Sequence, residues 1–301
     1  MINKEILENY GLVQEKVLIK SLCSFHIGGL ADYLVFPKNE IALMQLIKLL
    51  NEQSFPFKIW GKGSNILASD EPYHGIIIKL DRYFIDVFIQ SSSVIAQAGV
   101  SLIALTYQCA KAGLSGLEFA SGIPGTLGGA VYMNAGAYHA CIFDSIKRIY
   151  VLKKNELVWM DKSEIEFRYR FSTFQEHDDW IILAVELELV SKDPSLIQAL
   201  MLKRQTKRLA TQPLQLASAG SVFRNPEDHY AWELIEQCGL RNQRIGDAMV
   251  SSLHTNFIVN VGEAKANDVY QLILSIKSTV FDKLGIMLSE EIEYFNWMNH
   301  E

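Results

Sequence analysis

A glycine-rich stretch in the middle of the chain carries the strongest chemical signal of the sequence. Residues 121–136 read SGIPGTLGGAVYMNAG. Glycine accepts positive φ and lets main-chain N–H groups approach a ligand closely, and a run of such amides forms a concave anion site. Short glycine clusters are more often solvated turns, but this one is nearly uncharged and contains the apolar Val131 and Met133. We therefore expect it to lie against a large ligand.

A second glycine loop, Gly61-Lys-Gly-Ser-Asn65, separates the apolar runs Phe57–Trp60 and Ile66–Ala68. Dinucleotide-binding and P-loop sites both need a helix that begins at the glycine loop. Here a strand is expected on each side, and the third glycine of the dinucleotide fingerprint is missing. The pattern predicts a strand–loop–strand unit that binds phosphate through its own amides, Ser64 and Asn65.

Several single side chains could carry chemistry. Arg170 stands between two aromatic residues, which suits partly buried recognition of a carboxylate or phosphate. Ser221 lacks the Gly-x-Ser-x-Gly setting of a hydrolase nucleophile, and most serines in such loops bond neighbouring backbone. His254 is as compatible with a packed core as with ligand contact. Glu291 lies in a cluster of carboxylates typical of a solvated strand end.

Composition narrows the class of protein. The 301 residues carry a formal net charge of −6 and show no basic run, which argues against nucleic acid or an anionic membrane as partner. The N-terminus lacks the apolar core of a signal peptide, and no apolar run approaches the roughly 20 residues of a membrane span. The four cysteines are scattered without a Cys-x-x-Cys pair, so we expect reduced thiols and no metal site. These features predict a soluble, cytoplasmic protein, and we expect a monomer.

The sequence predicts only some of the helices and strands that must position these residues. Residues 1–38 read as irregular apart from a strand at Tyr33–Phe36, and strands are expected at residues 83–90 and 254–260. The helix that follows Ser101 is expected to bury Ile103, Tyr107 and Ala110. The clearest helix has Asn267 as its expected cap, Gly285 after its end, and an apolar stripe formed by Val269, Leu272, Ile273, Ile276 and Val280.

Taken together, the motifs resemble those of the UDP-N-acetylenolpyruvoylglucosamine reductase family. The resemblance covers nearly the whole chain, from Phe25 to Glu291. The motifs that carry it, in family order, are Gly61-Lys-Gly-Ser-Asn65, residues 122–138, Tyr169-Arg170-x-Ser172, Gln212-Pro213, Ala219-Gly-Ser-Val-Phe-Arg-Asn-Pro226 and the terminal Glu291. Members reduce an enolpyruvyl ether on UDP-N-acetylglucosamine to UDP-N-acetylmuramate for peptidoglycan synthesis, with FAD and NADPH.

The resemblance implies an α+β protein with a vanillyl-alcohol-oxidase (PCMH-type) FAD-binding fold. Two FAD-binding subdomains are expected at residues 1–81 and 82–191, followed by an α+β substrate domain at 192–301, whose last strand returns to the first subdomain or stays in its own. The short span between Val190 and Gln212 indicates the second, shorter type of the family.

The resemblance also assigns roles to residues. Arg170, together with Glu291 in its acid form or acting through a water, would stabilise the negative charge that develops beside the substrate carboxylate, and Ser221 would protonate the carbanion. The expected cofactor contacts are Gly61, Lys62, Gly63, Ser64, Asn65, Ser121, Gly122, Ile123, Pro124, Gly125, Thr126, Gly128, Gly129, Ala130, Asn134, Gly136, Ile182 and Arg208. The expected UDP-sugar contacts are Tyr169, Arg224, Asn225 and His254.

Two positions depart from the family pattern. Ser289 stands where a glutamate is common, and Leu253 where a basic residue is frequent, so Leu253 offers no charge to the diphosphate. Two other functions remain open. A different oxidase of the same flavin fold would react with oxygen directly, whereas a regulator that binds flavin or nucleotide sugar would consume no NADPH.

Overall fold

The computed structural model describes residues 2–297, and the chain divides into two compact units. The first unit holds the N-terminal residues up to Glu15, Tyr33–Lys62 and Gly75–Thr206. The second holds Lys16–Asp32, Gly63–His74 and the residues from Lys207 onward. Each unit is therefore assembled from segments distant in the sequence. The three predicted domains, 1–81, 82–191 and 192–301, stay a prediction about folding units.

Helices and strands alternate along the described chain. The α-helices are α1 Lys4–Glu8, α2 Glu40–Glu52, α3 Leu102–Lys111, α4 Leu127–Tyr132, α5 Pro194–Thr211, α6 Ala231–Gln237 and α7 Ala266–Leu284. The strands are β1 Gly11–Leu18, β2 Leu30–Pro37, β3 Phe57–Trp60, β4 Ile66–Ala68, β5 Tyr73–Lys79, β6 Val87–Gln90, β7 Ser93–Gln97, β8 Leu114–Ser115, β9 Gly136–Ala137, β10 Ala140–Cys141, β11 Ile146–Lys153, β12 Glu156–Asp161, β13 Phe167–Arg168, β14 Phe171–Ser172, β15 Ile181–Glu188, β16 Val190–Ser191, β17 Arg244–Ile245, β18 Ala248–Val250, β19 Ile258–Asn260 and β20 Glu293–Phe295.

The core of the first unit is built on an antiparallel sheet of five strands in the order β12-β11-β15-β7-β6. Its central strand β15 reads IILAVELE, and all but the last of these residues are buried. A nearly continuous apolar run is typical of a strand covered on both faces. The sheet contributes to a large buried cluster that extends from Ile2 to Leu189 in the sequence.

The predicted strand–loop–strand unit is confirmed, and its two strands enter different sheets. β3 pairs in parallel with β5 within a four-stranded sheet of order β1-β2-β5-β3. β4 pairs in parallel with the last strand, β20. The glycine loop between β3 and β4 therefore joins two sheets, and β20 pairs with residues of the range predicted for the first subdomain.

The second unit combines a small sheet with the helix that the sequence showed most clearly. β17, β18 and β19 form an antiparallel sheet, and α7 packs against its first two strands. The predicted stripe is confirmed, since Val269, Leu272, Ile273, Ile276 and Val280 are all buried. Gly285 ends the helix with φ +70°, a left-handed conformation that glycine adopts without steric cost.

Several predicted elements were wrong in detail. The N-terminal region is not irregular, because it contains α1 and β1. The strands expected at residues 83–90 and 254–260 are shorter, at Val87–Gln90 and Ile258–Asn260. The cap of α7 is Lys265 rather than Asn267. Helix α3 buries Leu102, Leu105, Thr106, Cys109 and Ala110, whereas Tyr107 is exposed. Apolar residues occur on several sides of α3, so three-residue spacing did not single out the buried face.

The described part of the chain has no helix that is long and apolar enough to cross a membrane. Within residues 2–297, no group of three or more His, Cys, Asp or Glu side chains is arranged to hold a metal ion. The four cysteines are free thiols.

Candidate active site

The glycine loop after β3 is held by a buried lysine. Lys79, at the end of β5, is only 8% exposed, and its Nζ donates to the carbonyl oxygen of Gly61 at 2.9 Å and lies 3.2 Å from Oδ2 of Asp81. The carbonyl and the following N–H of a trans peptide point in opposite directions. The N–H of Lys62 therefore points away from Lys79, and no hydrogen bond among the described residues uses it. Such an amide is suited to an anion.

Two glycines of this loop leave too little space for a Cβ atom unless a neighbouring group moves. A Cβ on Gly61 would lie 2.7 Å from Oγ1 of Thr126, and one on Gly63 would lie 2.7 Å from the carbonyl oxygen of Leu22. Gly63 also has φ +61°, which side-chain-bearing residues rarely adopt. At these two positions a side chain would therefore force a neighbouring group to shift.

The stretch 121–136 contains a short helix that the sequence did not reveal. Thr126 caps α4, since its side chain accepts a hydrogen bond from the amide of Gly129 at 3.2 Å. The amide of Gly128 donates to the carbonyl oxygen of Ala98 at 2.8 Å, and that of Ala130 to the carbonyl oxygen of Thr126 at 2.9 Å. These amides are engaged within the protein, so the expectation of a run of free amides is wrong for this part of the stretch.

Most of the remaining residues of the stretch also form hydrogen bonds within the protein. Ser121 is buried, and its hydroxyl donates to the carbonyl oxygen of Glu118 at 3.0 Å. The amide of Ile123 donates to Ala120 at 3.0 Å, and the carbonyl oxygen of Gly125 accepts from Leu102 at 3.0 Å. These contacts give the stretch a fixed shape. The cofactor contacts predicted here, including those of Gly122 and Pro124, stay predictions.

Asn134 anchors the hairpin that carries Arg170. Its side-chain amide donates to the carbonyl oxygen of Arg168 at 2.8 Å, and its Oδ1 is buried without a hydrogen-bond partner among the described residues. Ser172, fully buried, donates from its hydroxyl to the carbonyl oxygen of Tyr132 at 2.7 Å. Asn134, predicted to contact the cofactor, therefore links the end of the glycine stretch to the hairpin.

Arg170 occupies a strained position in that hairpin. β13 and β14 are joined by the two-residue turn Tyr169-Arg170, and Arg170 has φ +56°. Positive φ at the second turn residue normally selects glycine or asparagine. The guanidinium lies 5.0 Å from the ring centroid of Tyr169, and its Nη2 donates to the carbonyl oxygen of Gly136 at 3.1 Å. Backbone strain retained by a charged residue is a feature of functional sites.

Ser221 and Glu291 lie on adjacent segments of the second unit. Gly220, with φ +78°, turns the chain into Ser221, which forms an isolated antiparallel bridge with Phe257. The amide of Glu291 donates to the carbonyl oxygen of Val222, the residue after Ser221, at 2.7 Å. The main chain therefore fixes these two predicted catalytic residues relative to each other. Arg170 belongs to the other unit.

Two predicted substrate contacts in the second unit present buried polar atoms. Nε of Arg224 and Nδ1 of His254 are buried without a hydrogen-bond partner among the described residues. Burial, with a smaller contribution from the charge of Arg241, lowers the pKa of His254, so its imidazole is neutral near pH 7. Buried polar atoms are normally paired, so these two are suited to a polar ligand. Asn225 instead uses its Oδ1 to accept from the amide of Ala231 at 3.0 Å.

Two predicted cofactor residues lie on regular elements. Ile182 is on the central strand β15, where it is 8% exposed and faces Val151 in the register. Arg208 lies in the last turn of α5. Their contacts to a cofactor stay predictions.

Comparison with known proteins places the chain in a family. A family model for the C-terminal domain of UDP-N-acetylenolpyruvoylglucosamine reductase matches residues 212–295. The reductase of that name from Anoxybacillus flavithermus is 41% identical over 97% of both chains, and that from Alkaliphilus oremlandii is 42% identical over 97% of this chain and 95% of its own. The chain belongs to the UDP-N-acetylenolpyruvoylglucosamine reductase family.

A solved structure of the family has the same fold. The crystal structure of UDP-N-acetylenolpyruvylglucosamine reductase from Thermus caldophilus superposes with a TM-score of 0.82 at 33% identity, and the match covers 94% of this chain and all of that one. The predicted fold class, an α+β FAD-binding fold with a C-terminal domain, is thereby confirmed.

The cofactor prediction is also confirmed at the level of the domain. A family model for an FAD-binding domain matches residues 31–159, which include the glycine loop, the stretch 121–136 and the buried Lys79. The free amide of Lys62 and the close-packed Gly61 fit a phosphate-bearing cofactor at this loop. FAD is therefore the cofactor of this member of the family.

Sequence reasoning missed two positioning residues in the first unit. Lys79 was not considered, although a lysine inside the otherwise apolar run of residues 75–80 signals a buried partner. Gln175 was not considered, and its side-chain amide donates to the carbonyl oxygens of Tyr132 at 2.8 Å and Arg170 at 3.2 Å. No local signal in the sequence marks Gln175.

The Gly61–Thr126 contact gives a testable double-mutant cycle. In Gly61→Ala the added Cβ meets Oγ1 of Thr126 at 2.7 Å, so one of the two segments must shift. We expect FAD to bind about tenfold more weakly, a change of about 1.4 kcal/mol, when apoprotein is titrated with FAD and flavin fluorescence is followed. Thr126→Ala removes the obstructing oxygen, so adding Gly61→Ala to it should cost little further affinity. Fully additive losses would contradict a direct steric origin.

Proposed function

We propose that the protein reduces UDP-N-acetyl-enolpyruvoylglucosamine to UDP-N-acetylmuramate in peptidoglycan precursor synthesis, with NADPH as electron donor. The observation that carries the proposal is the 41% identity to a reductase of that name over 97% of both chains. The adjacent placement of Ser221 and Glu291 supports it, because the family resemblance assigns both residues a role in that reaction. A nucleotide-sugar substrate also favours a cytoplasmic location, and we keep the expectation of a monomer.

The reaction adds one hydride and one proton across the vinyl bond of the substrate. Bound FAD supplies the two-electron chemistry that no side chain can perform. As the terminal vinyl carbon accepts hydride, negative charge develops on the carbon beside the carboxylate and spreads into an enediolate. Arg170 stabilises that charge, and so does Glu291, in its acid form or through a water. The Ser221 hydroxyl donates its proton to the carbon, and solvent returns a proton to the serine oxygen.

The remaining polar residues would bind the UDP-sugar. Arg224 offers a buried N–H donor for a hydrogen bond to the substrate. His254 offers a neutral imidazole, which can form a hydrogen bond without the cost of burying an unpaired charge. Tyr169, which is exposed at the hairpin turn, and Asn225 complete the set taken from the family resemblance.

A single anaerobic titration tests the proposed function. NADPH should bleach the yellow flavin of the purified protein, and the enolpyruvyl substrate should then restore the colour without air. A matched sample that receives UDP-N-acetylglucosamine instead should stay bleached. Recovery only on admitting air would indicate an oxidase, and a protein that binds flavin but is not reduced by NADPH would indicate a binding protein. Either result would overturn the proposal.

A further inference from the structure

Residues 289–293 run between two other segments of the second unit. On one side, the amide of Arg224 donates to the carbonyl oxygen of Ser289 at 2.9 Å, and Phe223 and Glu290 form an antiparallel bridge. On the other side, Glu293 pairs in parallel with Ile66, the first residue of β4. The segment that carries Glu291 therefore lies between two other segments and is hydrogen-bonded to both of them.

The last residue of the glycine loop extends this pairing with its side chain. The main-chain oxygen of Asn65 accepts from the amide of Glu293 at 2.8 Å, and its side-chain Nδ2 donates to the carbonyl oxygen of Glu291 at 2.9 Å. A residue in a parallel ladder bonds two groups of its partner strand that are two residues apart. Asn65 makes that pair of bonds with one main-chain atom and one side-chain atom.

These contacts fix the peptide groups on both sides of the Glu291 Cα. The amide of Glu291 is bonded to Val222 O at 2.7 Å, and its carbonyl oxygen is bonded to Asn65 Nδ2. A carboxyl group in its acid form, or one acting through a water, stabilises developing negative charge effectively only if its position is set beforehand. Loss of the Asn65 amide would free one of the two peptides that orient the Glu291 side chain.

We propose that Asn65 is a positioning residue for Glu291, through the hydrogen bond from its side-chain amide to the Glu291 carbonyl oxygen. The glycine loop that the family resemblance assigns to the FAD pyrophosphate thus also orients the carboxyl group that acts on the substrate. This inference rests on the proposed function, and it gives Asn65 a role that cofactor binding alone does not require.

Two variants remove the donor in different ways. Asn65→Ala deletes the side chain, whereas Asn65→Asp keeps its shape but turns an oxygen towards the Glu291 carbonyl. In both, we expect the rate at which substrate reoxidises the reduced flavin to fall by about 10- to 100-fold, the range for a misplaced catalytic group, and more than the affinity for FAD falls. In the steady state, kcat should fall with little change in KM for the substrate.

Asn296→Ala is a matched control. Its side-chain amide also bonds main-chain oxygens, those of Glu71 at 3.0 Å and Pro72 at 3.2 Å, in the same unit. It should keep the wild-type reoxidation rate. If the Asn65 variants lose FAD affinity and reoxidation rate by equal factors, or if the control loses as much rate, the positioning role is overturned.

Amide hydrogen exchange separates this inference from the proposed function. In the flavin-free protein, the peptide covering residues 289–293 should exchange faster in Asn65→Ala than in wild type and Asn296→Ala. Faster exchange together with a wild type that cannot reduce the substrate would leave the structural role standing and refute the function. Unchanged exchange together with an unchanged reoxidation rate would overturn the positioning role while the function stands.

Discussion

Replacing Ser221 by alanine should abolish product formation while leaving reduction of the flavin by NADPH intact. The proposed role of Ser221 begins only after hydride has reached the substrate, because the hydroxyl donates a proton to the carbanion. Removal of a general acid typically costs about 10²–10⁴-fold in rate. Stopped-flow absorbance of the flavin measures both half-reactions in the same sample, so the two rates can be compared directly.

Ser218→Ala is the matched control for this variant. Ser218 lies three residues upstream, and its hydrogen bonds to Ser24 use its main-chain N–H and carbonyl oxygen rather than its hydroxyl. It should therefore behave as wild type in both half-reactions. Slow flavin reduction in Ser221→Ala, with normal reoxidation by substrate, would show that Ser221 serves the cofactor instead.

The parts of the fold that the sequence predicted are those with a local periodic signal. The buried stripe of α7 repeats at helical spacing and faces one neighbour, so its pattern survives in the sequence. Strand β1 has no such signal, because only one of its eight residues, Val13, is buried. It lies at the edge of its four-stranded sheet, where one side of the strand is unpaired.

The site was predictable as a set of motifs but not as a set of contacts. The family resemblance assigns both Asn65 and Asn134 to the cofactor. Their side chains donate to main-chain oxygens 226 and 34 residues away. Partners at such separations are set by the tertiary fold, so no spacing rule in the sequence could find them. The same holds for the bond between Lys79 and Gly61, which depends on the pairing of β3 with β5.

Arg170→Gly should make the protein more stable than Arg170→Ala while both lose the same activity. The turn holds residue 170 at φ +56°, where a side chain costs about 1–2 kcal/mol and glycine nothing. Glycine also gives the unfolded chain more freedom, which offsets about 0.4–1 kcal/mol. The glycine variant should therefore be more stable than the alanine variant by about 0.5–1 kcal/mol. In thermal unfolding of the flavin-free proteins, the glycine variant should accordingly have the higher thermal midpoint.

Both variants remove the guanidinium, so the reoxidation of reduced flavin by substrate should fall by about 10²–10³-fold in each, as for loss of one charge-stabilising donor. FAD occupancy should be reduced far less. If the two variants differ in activity as they do in stability, Arg170 acts by shaping the hairpin. Equal activity loss with unequal stability would instead show that the chain keeps an arginine in a glycine conformation for its charge, at the expense of the stability of the turn.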